Sequence, residues 1–156
     1  MSTRFALMLA VGGLITVLGS RTAAGDKDDA VKADMKLLQG VWVLQSFETN
    51  GKQTDPEQIK NIRLTIKGDR YSVDFGKKKM ELTFKIDPTR KPRTMDLIMT
   101  KDDQKAVTHG IYEVSADTFK LCRGTEAAKD PPTGFSTKEG SGRFVFVWKR
   151  DKKADK

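Results

Sequence analysis

Ile62-Arg63-Leu64-Thr65-Ile66-Lys67-Gly68-Asp69-Arg70-Tyr71-Ser72-Val73-Asp74-Phe75-Gly76-Lys77-Lys78-Lys79-Met80-Glu81-Leu82-Thr83-Phe84-Lys85-Ile86 is the stretch whose pattern decides the fold. Three runs in it have period two. Ile62, Leu64 and Ile66 alternate with Arg63, Thr65 and Lys67; Tyr71, Val73 and Phe75 with Ser72 and Asp74; Met80, Leu82, Phe84 and Ile86 with Glu81, Thr83 and Lys85. In an extended chain successive side chains point to opposite faces, so each run carries one apolar and one polar face. Gly68-Asp69 and the charged Gly76–Lys79 segment turn the chain between runs. Turns this short join neighbouring antiparallel strands.

The pattern extends in both directions. Residues 95–100, 107–114, 118–123 and 143–149 read as further strands, and residues 41–48 as an earlier one closed by the turn dipeptide Asn50-Gly51. Before it, Val31, Met35 and Leu38 fall on one helical face, with Asp28 or Asp29 as the cap and Gly40 as the stop. Asp55-Pro56-Glu57-Gln58 predicts one or two helical turns. About eight strands in a meander predict an all-β fold, an antiparallel eight-stranded barrel with a short N-terminal helix, because closure removes exposed edges. If Trp42 faces inward, so does Leu44, and alternation adds Ile62, Leu64, Ile66, Tyr71, Val73, Phe75, Met80, Leu82 and Phe84, with Leu97 and Met99. One connection is long: residues 124–142, with Pro131-Pro132, Gly134, Gly140 and Gly142. Loops of that length in a compact domain are usually functional or disordered.

The chain has 156 residues, 29 Lys+Arg against 21 Asp+Glu, one Cys and one His. That is one domain's worth of polypeptide. A single Cys excludes an intrachain disulfide, and one His with one Cys excludes His/Cys zinc sites. Arg4 precedes residues 6–18, which carry no charge and are mostly apolar. A spanning helix needs roughly 20 such residues, so the run fits a secretory signal better than a membrane span. Thr22, Ala23, Ala24 and Gly25 offer small residues for cleavage after Ala24 or Gly25. The expected organisation is a signal peptide at 1–25, a barrel domain at 26–150 and a disordered tail at 151–156, in an exported protein of the periplasm or extracellular space.

Leu37-Leu38-Gln39-Gly40-Val41-Trp42 leads a helix into the first strand through Gly-x-Trp. This resembles lipocalins and the wider calycin group. Ile86-Asp87-Pro88-Thr89-Arg90-Lys91-Pro92, Gly110-Ile111-Tyr112-Glu113-Val114 and Phe135-Ser136-Thr137-Lys138-Glu139-Gly140-Ser141-Gly142 before a last strand ending Lys149-Arg150 resemble, in that order, an uncharacterised domain family abundant in planctomycetes and often exported. The resemblance covers about residues 34–150. It implies a lipocalin-like barrel and no reaction. It also implies that Trp42 closes the barrel bottom against a basic residue of the last strand, Arg150 or Lys149.

Reactive chemistry has few starting points. A nucleophile–base pair would need Ser136, Ser141 or Cys122 beside His109. Most carboxylates sit within a few residues of Lys or Arg, as in Lys67-Gly68-Asp69-Arg70, the pattern of a mixed-charge solvated face. Asp26, Asp28 and Asp29 lack the Gly and terminal Glu of a calcium loop, and Gly140-Ser141-Gly142 lacks Walker spacing. The net charge of +8 is spread among acids, with the densest cluster at Arg90, Lys91 and Arg93 and another at Lys77–Lys79. An anionic envelope component suits it better as a partner than nucleic acid does.

The expectation is therefore a non-enzymatic, non-membrane-spanning, exported binding protein for a small apolar or amphipathic ligand or an envelope component. It has no catalytic residue, metal or cofactor. The expected ligand-binding residues are Tyr71, Phe84, Leu97, Met99 and Phe135, with Trp42 and Arg150 as barrel closure. The other reading left open is a structural or interaction module, such as an inhibitor, acting through the 124–142 loop and the basic rim. Phe135 is expected to fold back on the barrel and pin that loop, placing Lys138 and Glu139 at the rim.

Overall fold

The structure, a computed structural model, describes residues 23–154. Residues 1–22, the bulk of the expected signal segment, lie outside the described residues, as do the last two of the tail. Helix α1 spans Ala23–Leu38, starting before the Asp28 or Asp29 cap expected from sequence and running through both expected cleavage positions.

Among the described residues nine strands follow: β1 Gly40–Thr49, β2 Lys52–Gln53, β3 Arg63–Lys67, β4 Arg70–Asp74, β5 Lys79–Asp87, β6 Thr94–Lys101, β7 Gln104–Val114, β8 Thr118–Arg123 and β9 Phe144–Arg150. From β3 to β9 each strand pairs antiparallel with the next, and β1 pairs with both β3 and β9. Eight strands thus close into the expected barrel. The two-residue β2 is the addition that periodicity could not reveal. Asn50 and Gly51 both adopt positive φ, 50° and 71°, which makes a two-residue hairpin turn and folds β2 back on the end of β1. Between Leu44 and Ser46 the β1–β9 register shifts, a bulge at the exposed Gln45 that sharpens the bend of β1. After β2, Asp55 accepts from the backbone N–H of Glu57 and caps the single-turn helix α2, Pro56–Ile59, whose Ile59 is buried.

One end of the barrel is shut. Trp42 is fully buried there, and its Nε1–H donates to the Leu38 carbonyl at 2.9 Å. The Arg150 guanidinium lies 4.1 Å from the Trp42 ring centroid and donates to the carbonyls of Gln39 (2.7 Å) and Leu37 (2.6 Å). The last carbonyls of a helix have no intrahelical partner and carry partial negative charge, so a guanidinium satisfies both needs at the end of α1. Lys149, the other basic residue of that strand end, is exposed. Farther up α1, the buried Asp34 accepts from Tyr112 Oη at 2.7 Å and from Arg93 Nη1 at 2.9 Å. Lys27 reaches Asp87 at 2.9 Å. The helix is a lid fastened along its length.

Above this end the interior is packed with Trp42, Leu64, Ile66, Phe84, Met95 and Phe119. Phe75 keeps the inward face of its strand but sits at the rim. It is 46% exposed, because it follows the last paired residue of β4, and its N–H turns to the Lys78 carbonyl. Beyond Asp74 the neighbouring strand no longer covers it.

Candidate functional site

The opposite end of the barrel holds a cavity of about 280 Å³. Its largest wall comes from β9. In Phe144-Val145-Phe146-Val147-Trp148 every second side chain shares a face, so Phe144, Phe146 and Trp148 line the cavity in a row. Phe47 of β1 extends the row, its ring centroid 4.9 Å from Phe146 and 6.2 Å from Phe144. Leu44, Ile59, Ile62, Val73, Phe75, Met80, Leu97 and Leu121 complete the apolar lining. Ile59 is there because the Asp55 cap sets the direction of α2.

Two lining residues carry polar atoms that face each other by topology. Tyr71 stands on β4 and Arg123 on β8, four places apart in the ring of eight, hence across the barrel. Arg123 is half-buried, with its guanidinium carbon 4.9 Å from the Phe144 centroid and 5.5 Å from that of Phe146. Burial lowers its affinity for the proton, while Tyr71 and then Glu126 act the other way. Arginine titrates so high that it stays charged regardless. Burial pushes the Tyr71 hydroxyl far above its ordinary range, and the charge of Arg123 opposes that shift only in part. Tyr71 is therefore a neutral hydroxyl at any physiological pH. A third polar group, the Trp148 Nε1–H, is buried and has no hydrogen-bond partner among the described residues.

The residues singled out from sequence divide between three places. Tyr71 and Leu97 line the cavity. Phe84 lies beneath it in the packed interior, edge-on to Tyr71 at 6.3 Å. Met99 is half-buried against the same core and does not line the cavity. Phe135 is on the outside: it packs on Ile111, Cys122 and Val145, which point away from the interior, and Lys120 Nζ sits 4.5 Å from its ring centroid. Trp42 and Arg150 meet at the shut end. Arg123, Trp148, Phe144 and Phe146 are the functional candidates that the expected set lacks. The alternation that places Phe119 and Leu121 inward also places Arg123 inward, so that signal was present.

The 124–142 loop runs over the outer wall and not across the mouth. Cys122 Sγ donates to the Gly134 carbonyl at 3.5 Å. Thr137, fully buried, accepts from the Gly51 N–H at 3.2 Å and donates to the Glu48 carboxylate, tying the loop to the β1–β2 turn. Lys138 and Glu139 are exposed beside that tie. The loop shields Cys122, whose thiol is pushed up by burial. His109 Nδ1 lies 2.7 Å from Asp96 on the outer wall. A larger outer hollow, about 430 Å³ over β3 to β6, presents Thr65, Lys67, Arg70, Ser72, Glu81 and Thr83. It is a solvated, mixed-charge surface, so the smaller interior cavity is the better candidate site. Chemically, that cavity presents apolar walls and, among the described residues, hydrogen-bond donors but no carboxylate or imidazole.

In comparisons with protein-family models, curated proteins and solved structures, nothing matches the chain.

Proposed function

We propose that the protein is a non-catalytic binding protein that holds a small apolar or amphipathic molecule in the open half of the barrel. The observation that carries this reading is the 280 Å³ cavity with a nearly all-apolar lining and a few polar groups, the composition that small-molecule sites share. Its volume corresponds to about nine groups of the size of a water molecule. The strapped position of the 124–142 loop supports a mouth left open for a ligand over a loop-mediated interaction module, the alternative reading. Export from the cell, contact with an anionic envelope component, and kinship with the exported planctomycete-type domain family belong to the same proposal. They are supported by the apolar run at residues 6–18, the net charge of +8 and the motifs quoted above.

Native mass spectrometry on protein purified from its own source tests the binding reading. The expected result is a retained small molecule that is released when the barrel unfolds. A mass equal to that of the polypeptide alone, together with no uptake of apolar fluorescent probes, would count against it. Sequencing the N-terminus of exported material tests the export proposal, with a start at Gly25 or Asp26 expected and a start at Met1 or Ser2 contradicting it.

A further inference from the structure

We infer that the cavity is selective for a small monocarboxylate, held with its carboxylate on Arg123 and its hydrocarbon body against the β9 aromatic wall. The inference rests on the binding reading and adds the chemistry of the headgroup. Three observations carry it.

Among the described residues Arg123 is the only charged one lining the cavity, and no acid lines it. A guanidinium has five N–H donors. Among the described residues Arg123 uses one, from Nη1 to the carbonyl of adjacent Gly124 at a long 3.3 Å. The acid that influences it, Glu126, is exposed and forms no ion pair with it among the described residues. A partly desolvated cation with spare donors is best satisfied by an anion whose geometry fits the planar fork, which a carboxylate does with two parallel bonds. The Phe144 and Phe146 rings hold the guanidinium in place, which lowers the entropic cost of that pairing.

The second observation is the Trp148 N–H, a buried donor without a partner in a residue of the same wall. Buried donors are nearly always satisfied; this nitrogen has almost no accessible surface, so it can donate only if the wall shifts to admit an acceptor. The third is the Tyr71 hydroxyl on the facing wall, for which no hydrogen bond to the protein exists among the described residues. It stays protonated and can donate. One cation and one facing neutral hydroxyl match a single negative charge. A phosphate monoester, which carries nearly two, would be under-compensated.

Octanoate and 1-octanol, matched in chain length, separate the headgroup from the body. Calorimetric titration is done on the wild-type protein and on Arg123→Gln, with circular dichroism and thermal melting to verify the variant's fold. The expected outcome is octanoate binding at least about tenfold tighter than 1-octanol, the scale of one charge-assisted pair. That preference should be lost in Arg123→Gln while 1-octanol binding persists. Equal affinities for the two compounds in the wild type overturn the carboxylate inference and leave the cavity reading standing. A preference that survives in folded Arg123→Gln removes Arg123 as the anchor and overturns it too. If neither compound binds the wild type, the inference and the binding reading fall together. The wild-type comparison is decisive even if Arg123→Gln does not fold.

Discussion

The Trp42 indole donates to the last turn of α1 while Arg150 covers its ring and bonds two more carbonyls of that turn. Truncating Trp42 removes a fully buried aromatic and the cation–π contact at once. Trp42→Ala is expected to lower unfolding free energy by about 3–5 kcal/mol in denaturant titration, as large aromatic truncations do. A loss under about 1 kcal/mol would contradict its placement at the shut end. Arg150→Leu leaves two part-buried carbonyls without their donor and is expected to cost about 1–2 kcal/mol by the same measurement. Cys122 makes a kinetic prediction. Its thiol is fully buried beneath the loop, and burial raises its titration, so the reactive thiolate is scarce. In native buffer at pH 8 it is expected to resist a thiol-reactive dye and to label only once denaturant opens the barrel. Prompt labelling would mean that the loop leaves its wall.

At the scale of elements, α1 and the long loop are held by different means. The outer end of α1 is tied to β5 through Lys27 and Asp87. The Thr89 hydroxyl, then Lys27, holds the Asp87 carboxyl down at about 2, below the usual carboxylate range. A depressed folded-state value means that the charged form favours the fold. Its contribution is complete above the unfolded-state value near 4 and is lost as pH falls from there toward 2. Asp87→Asn is therefore expected to flatten the acid limb of a stability-versus-pH curve in that window and to change little between pH 2 and lower. The group faces solvent, so the effect is small. An unchanged acid limb would show that Asp87 does not tie the helix. The loop depends on Phe135 seated on Ile111, Cys122 and Val145, and on the Thr137 tie to Glu48 and Gly51. Hydrogen exchange should find residues 124–142 slower than residues 151–154. Phe135→Ala should speed exchange in the loop while leaving β3 to β6 unchanged.

The whole barrel is built as two halves, one filled and shut by α1, the other lined and open. A filled interior resists loss of volume, because surrounding side chains cannot collapse into the gap. Leu64→Ala in the packed half is expected to cost about 2–5 kcal/mol. The open half has spare volume, so Leu97→Phe should fit without overpacking and raise the melting temperature while weakening ligand uptake. Stability gained against function lost is the usual exchange when a binding cavity is filled. Calorimetric melting with a parallel ligand titration checks both; a lower melting temperature would mean that Leu97 does not border free space.

Period two in residues 62–86, short polar turns and the Asn50-Gly51 dipeptide by themselves determined an antiparallel meander closing on itself, since alternation and turn chemistry are local properties of an extended chain. They also determined which face of β3, β4 and β5 points inward, because the opposite faces there are polar. The last strand was harder to read. Phe144-Val145-Phe146-Val147-Trp148 is apolar on both faces, as the loop covers one and the cavity the other, so periodicity could not show that its aromatic face forms the wall of a site. Phe135 shows the same limit: its sequence neighbours do not say which surface a loop aromatic packs on, and only the path of the chain made that place the outer wall. The rim position of Phe75 and the placing of Tyr71 opposite Arg123 across the ring were likewise decided by closure of the barrel. A sequence specifies which way each side chain points from its own strand. Which side chains then face one another, and how much space lies between them, depends on strand order, stagger and tilt, which are properties of the assembled sheet.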